Sequence, residues 1–137
     1  MKKIIVLLIM VFVLLGAMSV MAEDVSVIVN GEEIVFDQKV VVDNDTPMIP
    51  LRFVAEKIGA NISWYGETRT VFAEFEGVMT TIQIGNELLF YNEEAIKLEK
   101  APALFGDRTL VPMSVIEITT GADVLWDKEN SKIVITK

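Results

Sequence analysis

Residues 46–60 read TPMIPLRFVAEKIGA, and the order of residue types in this stretch decides the fold. Pro50 is suited to the first turn of a helix, where its missing N–H group is not needed. Four apolar residues then recur at the spacing of one helical face, at positions 51, 54, 55 and 58. Gly59 follows where a left-handed residue commonly ends a helix. The stretch predicts a short amphipathic helix after Pro50, with Arg52 off its apolar face.

A strand is predicted directly after this helix. Ala60, Ile62 and Trp64 alternate with the polar residues Asn61 and Ser63, which is typical of a half-buried strand. Because alternate residues of a strand share a face, Trp64 is expected to point into the core. A turn and a second strand, at about 70–75, follow in the sequence and are rich in β-branched and aromatic residues.

The chain repeats itself at a distance of 62 residues, because 45–75 aligns with 107–137 without a gap. Six pairs are identical: Asp45 and Asp107, Pro50 and Pro112, Gly59 and Gly121, Ala60 and Ala122, Trp64 and Trp126, Glu67 and Glu129. The alignment predicts an internal duplication, with copies at about 25–76 and 79–137. We therefore take three residue types, each present in both copies, as the structural motif: Pro50, Gly59, Trp64, Pro112, Gly121 and Trp126.

The second copy departs from the first in two places. Asn30-Gly31 favours a two-residue hairpin turn, since both positions tolerate positive φ, but Glu93 takes the place of this glycine. The second helix ends in Thr119 and Thr120, and β-branched residues lower helix propensity. We expect this helix to be shorter than the first or to contain an irregular turn.

The predicted fold class is α+β, with an antiparallel sheet twisted around a helix. A single short helix on three or four strands leaves much apolar surface exposed, so the two copies are expected to share one core. No Pro/Gly/Ser-rich linker separates them. The sequence predicts one domain over residues 23–137.

Both copies carry motifs that resemble the copper amine oxidase N-terminal domain family, also called the stalk domain. In the first copy these are 46–60 and Trp64, and in the second they are 106–113, Gly121 and Trp126. The resemblance implies a non-catalytic domain of exported and cell-surface proteins of bacteria, with an antiparallel sheet of about five strands twisted around a helix. The second copy departs from the pattern at Ser114, which stands where the first copy has Arg52, so a role for this arginine is not carried over to the second copy.

The first 22 residues predict a secretory signal peptide. Lys2 and Lys3 precede an uncharged run from Ile4 to Ala22, and the first acid is Glu23. The alternative is an uncleaved membrane anchor, because this run of 19 residues is close to the length that spans a bilayer. Either reading places the rest of the chain outside the cytoplasm, in the cell envelope or the medium. The absence of cysteine indicates a bacterial protein without disulfides.

Composition argues against several classes of function. Residues 23–137 carry ten basic and twenty acidic side chains, a net charge of −10, which disfavours nucleic-acid binding. The chain has no histidine or cysteine, so we expect no copper or zinc site, no cofactor and no enzyme activity. A hydrolytic pair of carboxylates and weak calcium binding at Asp43 and Asp45 remain formal alternatives, although Met48 and Val54 break the pattern of an EF-hand loop.

Two functions follow as hypotheses. The first is an exported interaction or scaffolding domain with an unknown protein partner, which touches a membrane only if the leader is retained. The alternative is a module that binds cell-wall or extracellular polysaccharide through exposed aromatic rings, among them Phe90. Candidate partner contacts are Arg52, Tyr65 and Tyr91. Three or more rings on a single exposed strip would favour the polysaccharide.

Overall fold

The computed structural model describes residues 24–137. The predicted signal peptide, residues 1–22, lies outside the described residues, so the question of a signal peptide or an anchor stays a prediction. Within the described part of the chain, no helix is both long enough and apolar enough to cross a membrane.

Thirteen strands and two helices form in residues 24–137. In chain order they are β1 Ser26–Val29, β2 Glu32–Ile34, β3 Val41–Asp43, β4 Thr46–Pro50, α1 Leu51–Ile58, β5 Asn61–Tyr65, β6 Thr70–Phe75, β7 Val78–Gln83, β8 Leu88–Tyr91, β9 Glu94–Lys97, β10 Ala103–Phe105, β11 Arg108–Pro112, α2 Met113–Thr120, β12 Asp123–Asp127 and β13 Lys132–Thr136. The fold is therefore α+β, and most of its regular structure is sheet.

The strands form three sheets, in the orders β12-β13-β1-β2, β10-β11-β4-β3 and β5-β6-β7-β8-β9. The expectation of one antiparallel sheet is corrected in two respects, because there are three sheets and β1 pairs with β13 in parallel. A helix follows the proline in each copy, as the sequence predicts. The parallel pair joins the first and last strands of the described chain, and such a distant pairing leaves no local pattern in the sequence.

Five elements recur 62 residues later with the same bounds. β1, β3, β4, α1 and β5 correspond in this way to β8, β10, β11, α2 and β12. The central sheet joins the two sets through β4 and β11, where Ile49 lies opposite Val111, which is its own counterpart. The pairing around that point is reciprocal, since Met48 lies opposite Pro112 and Pro50 opposite Leu110. The β4–β11 pair thus has an approximate local twofold axis.

Buried side chains from both sets of elements form one cluster. α1 contributes Leu51, Val54 and Ala55, three of the four positions of its predicted apolar face. α2 contributes Val115 and Ile116, together with its two terminal threonines. The strands add fully buried residues from all three sheets: Val27, Val29, Ile49, Ile82, Leu89, Val111, Ile133 and Ile135.

The second helix is not shorter than the first, so that prediction is wrong. Both helices have eight residues, and each ends at a left-handed glycine, Gly59 or Gly121. Thr119 and Thr120 are buried, and the Thr120 hydroxyl donates a hydrogen bond of 2.6 Å to the Ile116 carbonyl. Burial of this last turn outweighs the small propensity cost of β-branched residues.

Two equivalent hairpins make the same turn with different residues. Asn30 and Gly31 have φ values of 49° and 82°, and Asn92 and Glu93 have 47° and 71°. Both central positions of this turn need positive φ, which suits glycine and costs a residue with a Cβ about 1–2 kcal/mol. Glu93 therefore occupies a strained position that the first hairpin avoids.

We expect Glu93→Gly to raise the free energy of unfolding by about 0.5–1 kcal/mol and Gly31→Glu to lower it by about 1 kcal/mol. A Cβ on Gly31 would meet no atom within 4 Å, so the loss would reflect backbone strain and not a clash. Urea denaturation of the two variants and the parent measures both changes. A Glu93→Gly variant less stable than the parent would contradict the strain argument.

Candidate functional site

A cleft of about 410 Å³ lies in the described surface at the start of α1. β5 lies on one side of the cleft, and the turn between β10 and β11 lies on the other. Among the side chains that line it are those of Arg52, Phe53, Trp64, Leu104, Asp107 and Arg108. Among the described strands, β5 and β10 are each at the edge of a sheet. An edge strand leaves backbone N–H and C=O groups unpaired along one side.

One wall of the cleft is a stack of ionic and aromatic groups. The Arg108 guanidinium lies 4.7 Å from the centre of the Phe53 ring, which meets Phe36 edge to face at 5.8 Å. Arg108 also donates to both carboxylate oxygens of Asp37, through Nε at 3.1 Å to each and through Nη2 at 2.6 Å to Oδ2. The position of the Arg108 side chain is thus fixed both by the Phe53 ring and by the Asp37 carboxylate.

The ion pair in this wall stays charged over a wide pH range. Hydrogen bonding from Arg108 lowers the pKa of Asp37 below its usual value, and the same bonds raise the pKa of Arg108. Each shift favours the ionised form of its group. Because Arg108 belongs to the second set of elements and Phe53 to the first, the wall forms only when the two sets pack together.

Trp64 forms the opposite wall, and the prediction that its ring is buried is wrong. Its parity is as expected, because it pairs with the buried residue Val71 on the inner face of the sheet. However, β5 is an edge strand, and Trp64 is 42% exposed where it lines the cleft. Its counterpart Trp126 is half-buried and packs against the core. The two equivalent tryptophans thus have different surroundings.

Arg52 lies beside the cleft with its guanidinium only loosely held. Its Nη1 is 3.7 Å from Glu56 Oε1, and 47% of its side chain is exposed. Exposed pairs of this kind contribute about 0.3–0.5 kcal/mol, so Arg52 is free to turn to a ligand. Its counterpart Ser114 instead donates to Glu99 at 2.7 Å, and its chemistry is different.

The equivalent region of the second set of elements is bridged by an ion pair. Lys128 Nζ donates to Asp45 Oδ1 at 2.8 Å and lowers the pKa of that carboxyl group. The counterparts of these residues at the cleft are Gly66 and Asp107, and a glycine has no side chain to make the bridge. A Cβ on Gly66 would lie 3.4 Å from Trp64 Nε1, so position 66 is beside the cleft wall.

A second exposed surface is the outer face of the five-stranded sheet. The strand register places Phe72 opposite Thr81, and Thr81 opposite Phe90, in one row across three strands. Tyr65 lies on the same face, opposite Thr70. Tyr65 is 51% exposed, Phe90 is 41% exposed and Phe72 is half-buried. Three aromatic rings therefore share one exposed strip, which we call the aromatic strip.

The predicted contact Tyr91 is not part of the aromatic strip. It lies on the inner face of the same sheet and packs half-buried against the core. Of the other predicted contacts, Arg52 lies at the cleft and Tyr65 on the strip. The sequence reasoning missed Phe72, Leu104 and Arg108, because their positions depend on strand pairing between distant segments.

The described residues contain no group of three or more histidine, cysteine, aspartate or glutamate side chains that could hold a metal ion. The two carboxylates considered for calcium both have basic partners. Asp43 lies 2.6 Å from Lys100 Nζ, and Asp45 lies 2.8 Å from Lys128 Nζ.

Residues 28–135 match the family described as the copper amine oxidase N-terminal domain. This chain belongs to that family. The match covers both sets of elements, the cleft and the aromatic strip. Copper amine oxidase N-terminal domains form a non-catalytic family.

A curated relative of this stalk domain is a protein from Brevibacillus choshinensis that is named "Protease inhibitor". The two are 27% identical over 111 residues, which are 80% of this chain and 33% of the relative. The chain thus spans about a third of the length of that relative.

Proposed function

We propose that this stalk domain is an exported interaction domain of the cell surface or extracellular space, and that its cleft binds an extended segment of a partner protein. One observation carries the proposal: two sheet edges, β5 and β10, flank the same cleft, and β5 contributes an exposed tryptophan to its wall. An extended peptide can pair its backbone with such an edge while its side chains enter the neighbouring pockets.

The side chains of the cleft suit a protein partner. Tryptophan and arginine are the residues that most often dominate binding energy at protein interfaces. Trp64 offers a large apolar face with little side-chain entropy to lose, and Phe53 lies in the fixed wall opposite it. Arg52 is positioned to meet a carboxylate of the segment. The name of the Brevibacillus relative, a protein described as a protease inhibitor, also favours a protein partner.

We also propose that the domain is exported and that it arose by internal duplication. Export is supported by the basic, apolar and small-residue order of 1–22. An origin by duplication is supported by the 62-residue offset of five elements and by the reciprocal pairing around Ile49. Gly66 then distinguishes the two copies, because it has no side chain to bridge the cleft, whereas Lys128 bridges the equivalent region of the second set to Asp45.

Photo-crosslinking tests the cleft. A photoreactive phenylalanine analogue replaces Leu104, which is 38% exposed on the cleft wall, or Leu125, which is 63% exposed on another sheet. The purified variants are irradiated with envelope and secreted proteins of the bacterium that makes the chain. We expect position 104 to give one discrete product whose partner segment is identified by mass spectrometry, and position 125 to give none.

The matched variant Gly66→Lys is designed to introduce into the cleft an ion pair equivalent to that of Lys128 with Asp45. Gly66 has no positive φ, so lysine is tolerated there, and its amine is expected to reach Asp107 as Lys128 reaches Asp45. This variant should lose the crosslink at position 104 and keep the melting temperature of the parent. An unchanged crosslink, equal products from 104 and 125, or a product that is a glycan would each overturn the proposed function.

A further inference from the structure

The distances between the rings of the aromatic strip match the repeat distance of an extended polymer. Phe72 on β6 and Phe90 on β8 are two strands apart in one row, which separates them by about 9–10 Å. Tyr65 lies diagonally from Phe72 across one strand, at about 7–8 Å. Alternate sugar rings of an extended β-1,4-linked chain recur at close to the longer of these distances. The two phenylalanines therefore match one disaccharide repeat.

Polar groups lie in the same row as the rings. Thr81 is between the two phenylalanines, and Ser63 is on the far side of Phe72. Both hydroxyl groups can donate and accept hydrogen bonds. A pyranose ring has an apolar face of C–H groups and an equatorial rim of hydroxyl groups. An aromatic ring beside a hydroxyl group can contact both the apolar face and the hydroxyl rim of a sugar. A purely apolar partner would leave Thr81 and Ser63 without hydrogen-bond partners.

The negative charge of the domain distinguishes between the ligands that this face could bind. Residues 23–137 carry a net charge of −10, and Glu74 lies on the same face as the strip, opposite Met79. A second copy of the chain would bring an equal negative charge to the contact, and an anionic polymer would also be repelled. A neutral glycan has no such cost.

We propose that the outer face of the five-stranded sheet binds a neutral β-1,4-linked polysaccharide, with Phe90, Phe72 and Tyr65 stacked on its sugar rings. This site is on the opposite face of the sheet from the cleft, so the domain has two surfaces. The strip fixes the domain to a glycan, and the cleft stays open to a protein.

Isothermal titration calorimetry of the purified chain with three neutral hexasaccharides tests the proposal. Cellohexaose and N-acetylchitohexaose have the β-1,4 repeat, and maltohexaose has the same length with α-linkages and a curved shape. We expect at least one β-1,4 chain to bind and maltohexaose to bind about tenfold or more weakly. Polygalacturonate, an anionic chain, is expected not to bind.

Variants assign the binding to the strip. Phe90→Ala and Tyr65→Ala remove exposed rings and should each weaken binding about tenfold, a change of about 1.4 kcal/mol. Leu125→Ala, an exposed apolar residue on another sheet, is the matched control and should bind like the parent. The proposal is overturned if no β-1,4 chain binds, if maltohexaose or polygalacturonate binds as well, or if the two ring variants bind like the parent. It is equally overturned if sedimentation shows a dimer of the parent that Phe90→Ala dissociates.

Discussion

Alanine in place of Ile49 is expected to lower the free energy of unfolding by about 2–5 kcal/mol. Ile49 is fully buried and lies opposite Val111 at the centre of the sheet that joins the two sets of elements. The cavity would open on the approximate twofold axis, where neighbours from both sets lose contacts. Because native domains have about 5–15 kcal/mol in total, this single change removes a large part of the stability.

The transition should remain single when the variant is unfolded in urea and followed by fluorescence and circular dichroism. Both signals should move to lower urea concentration together, since the buried residues form one cluster. Leu125→Ala, at 63% exposure, serves as the control and should change stability by less than about 0.5 kcal/mol. Two separate transitions, or an Ile49→Ala variant as stable as the parent, would show that the halves do not share a core.

The two tryptophans should respond very differently to replacement by alanine. Trp126→Ala is expected to cost about 2–3 kcal/mol, somewhat less than the 3–5 kcal/mol of a fully buried tryptophan, because its ring is half-buried against the core. Trp64→Ala should cost about 1 kcal/mol or less, because the ring lies at a sheet edge and is 42% exposed.

Thermal melts of the two single variants measure the difference. Acrylamide quenching gives an independent check of the geometry, with Trp126→Phe leaving Trp64 as the sole tryptophan and Trp64→Phe leaving Trp126. The fluorescence of Trp64 should be quenched more strongly. Equal melting temperatures and equal quenching would place both rings in the same environment and would remove Trp64 from the cleft wall.

Local patterns in the sequence predicted the local structure well. The apolar spacing from Leu51 to Ile58 and the glycine after it correspond to the eight residues of α1 and its left-handed end. Asn30-Gly31 predicted a turn that has positive φ at both positions. These features depend on residues that are close in the chain, so local sequence patterns are enough to predict them.

The cleft and the aromatic strip depend on contacts between segments that are distant in the chain, and local sequence patterns do not predict such contacts. Alternation correctly placed Trp64 on the inner face, but only the sheet order makes β5 an edge and leaves the ring exposed. Arg108 meets Asp37 across 71 residues. Tyr91 was expected beside Phe90 at the surface, yet neighbours in a strand point to opposite faces, and Tyr91 packs inward.

The parallel pairing of β1 with β13 decides how the domain would respond to tension. Ser26 lies opposite Lys132 and Val29 opposite Ile135, so the chain enters at one end of this strand pair and leaves at the other. A pull on the two ends acts along the strands and loads all their hydrogen bonds at once, instead of opening them one by one. The side-chain oxygen of Asn30 also accepts a bond of 2.9 Å from the backbone of Lys137, at the exit of β13. Set in series between a cell and a tethered object, the domain would transmit force without extending.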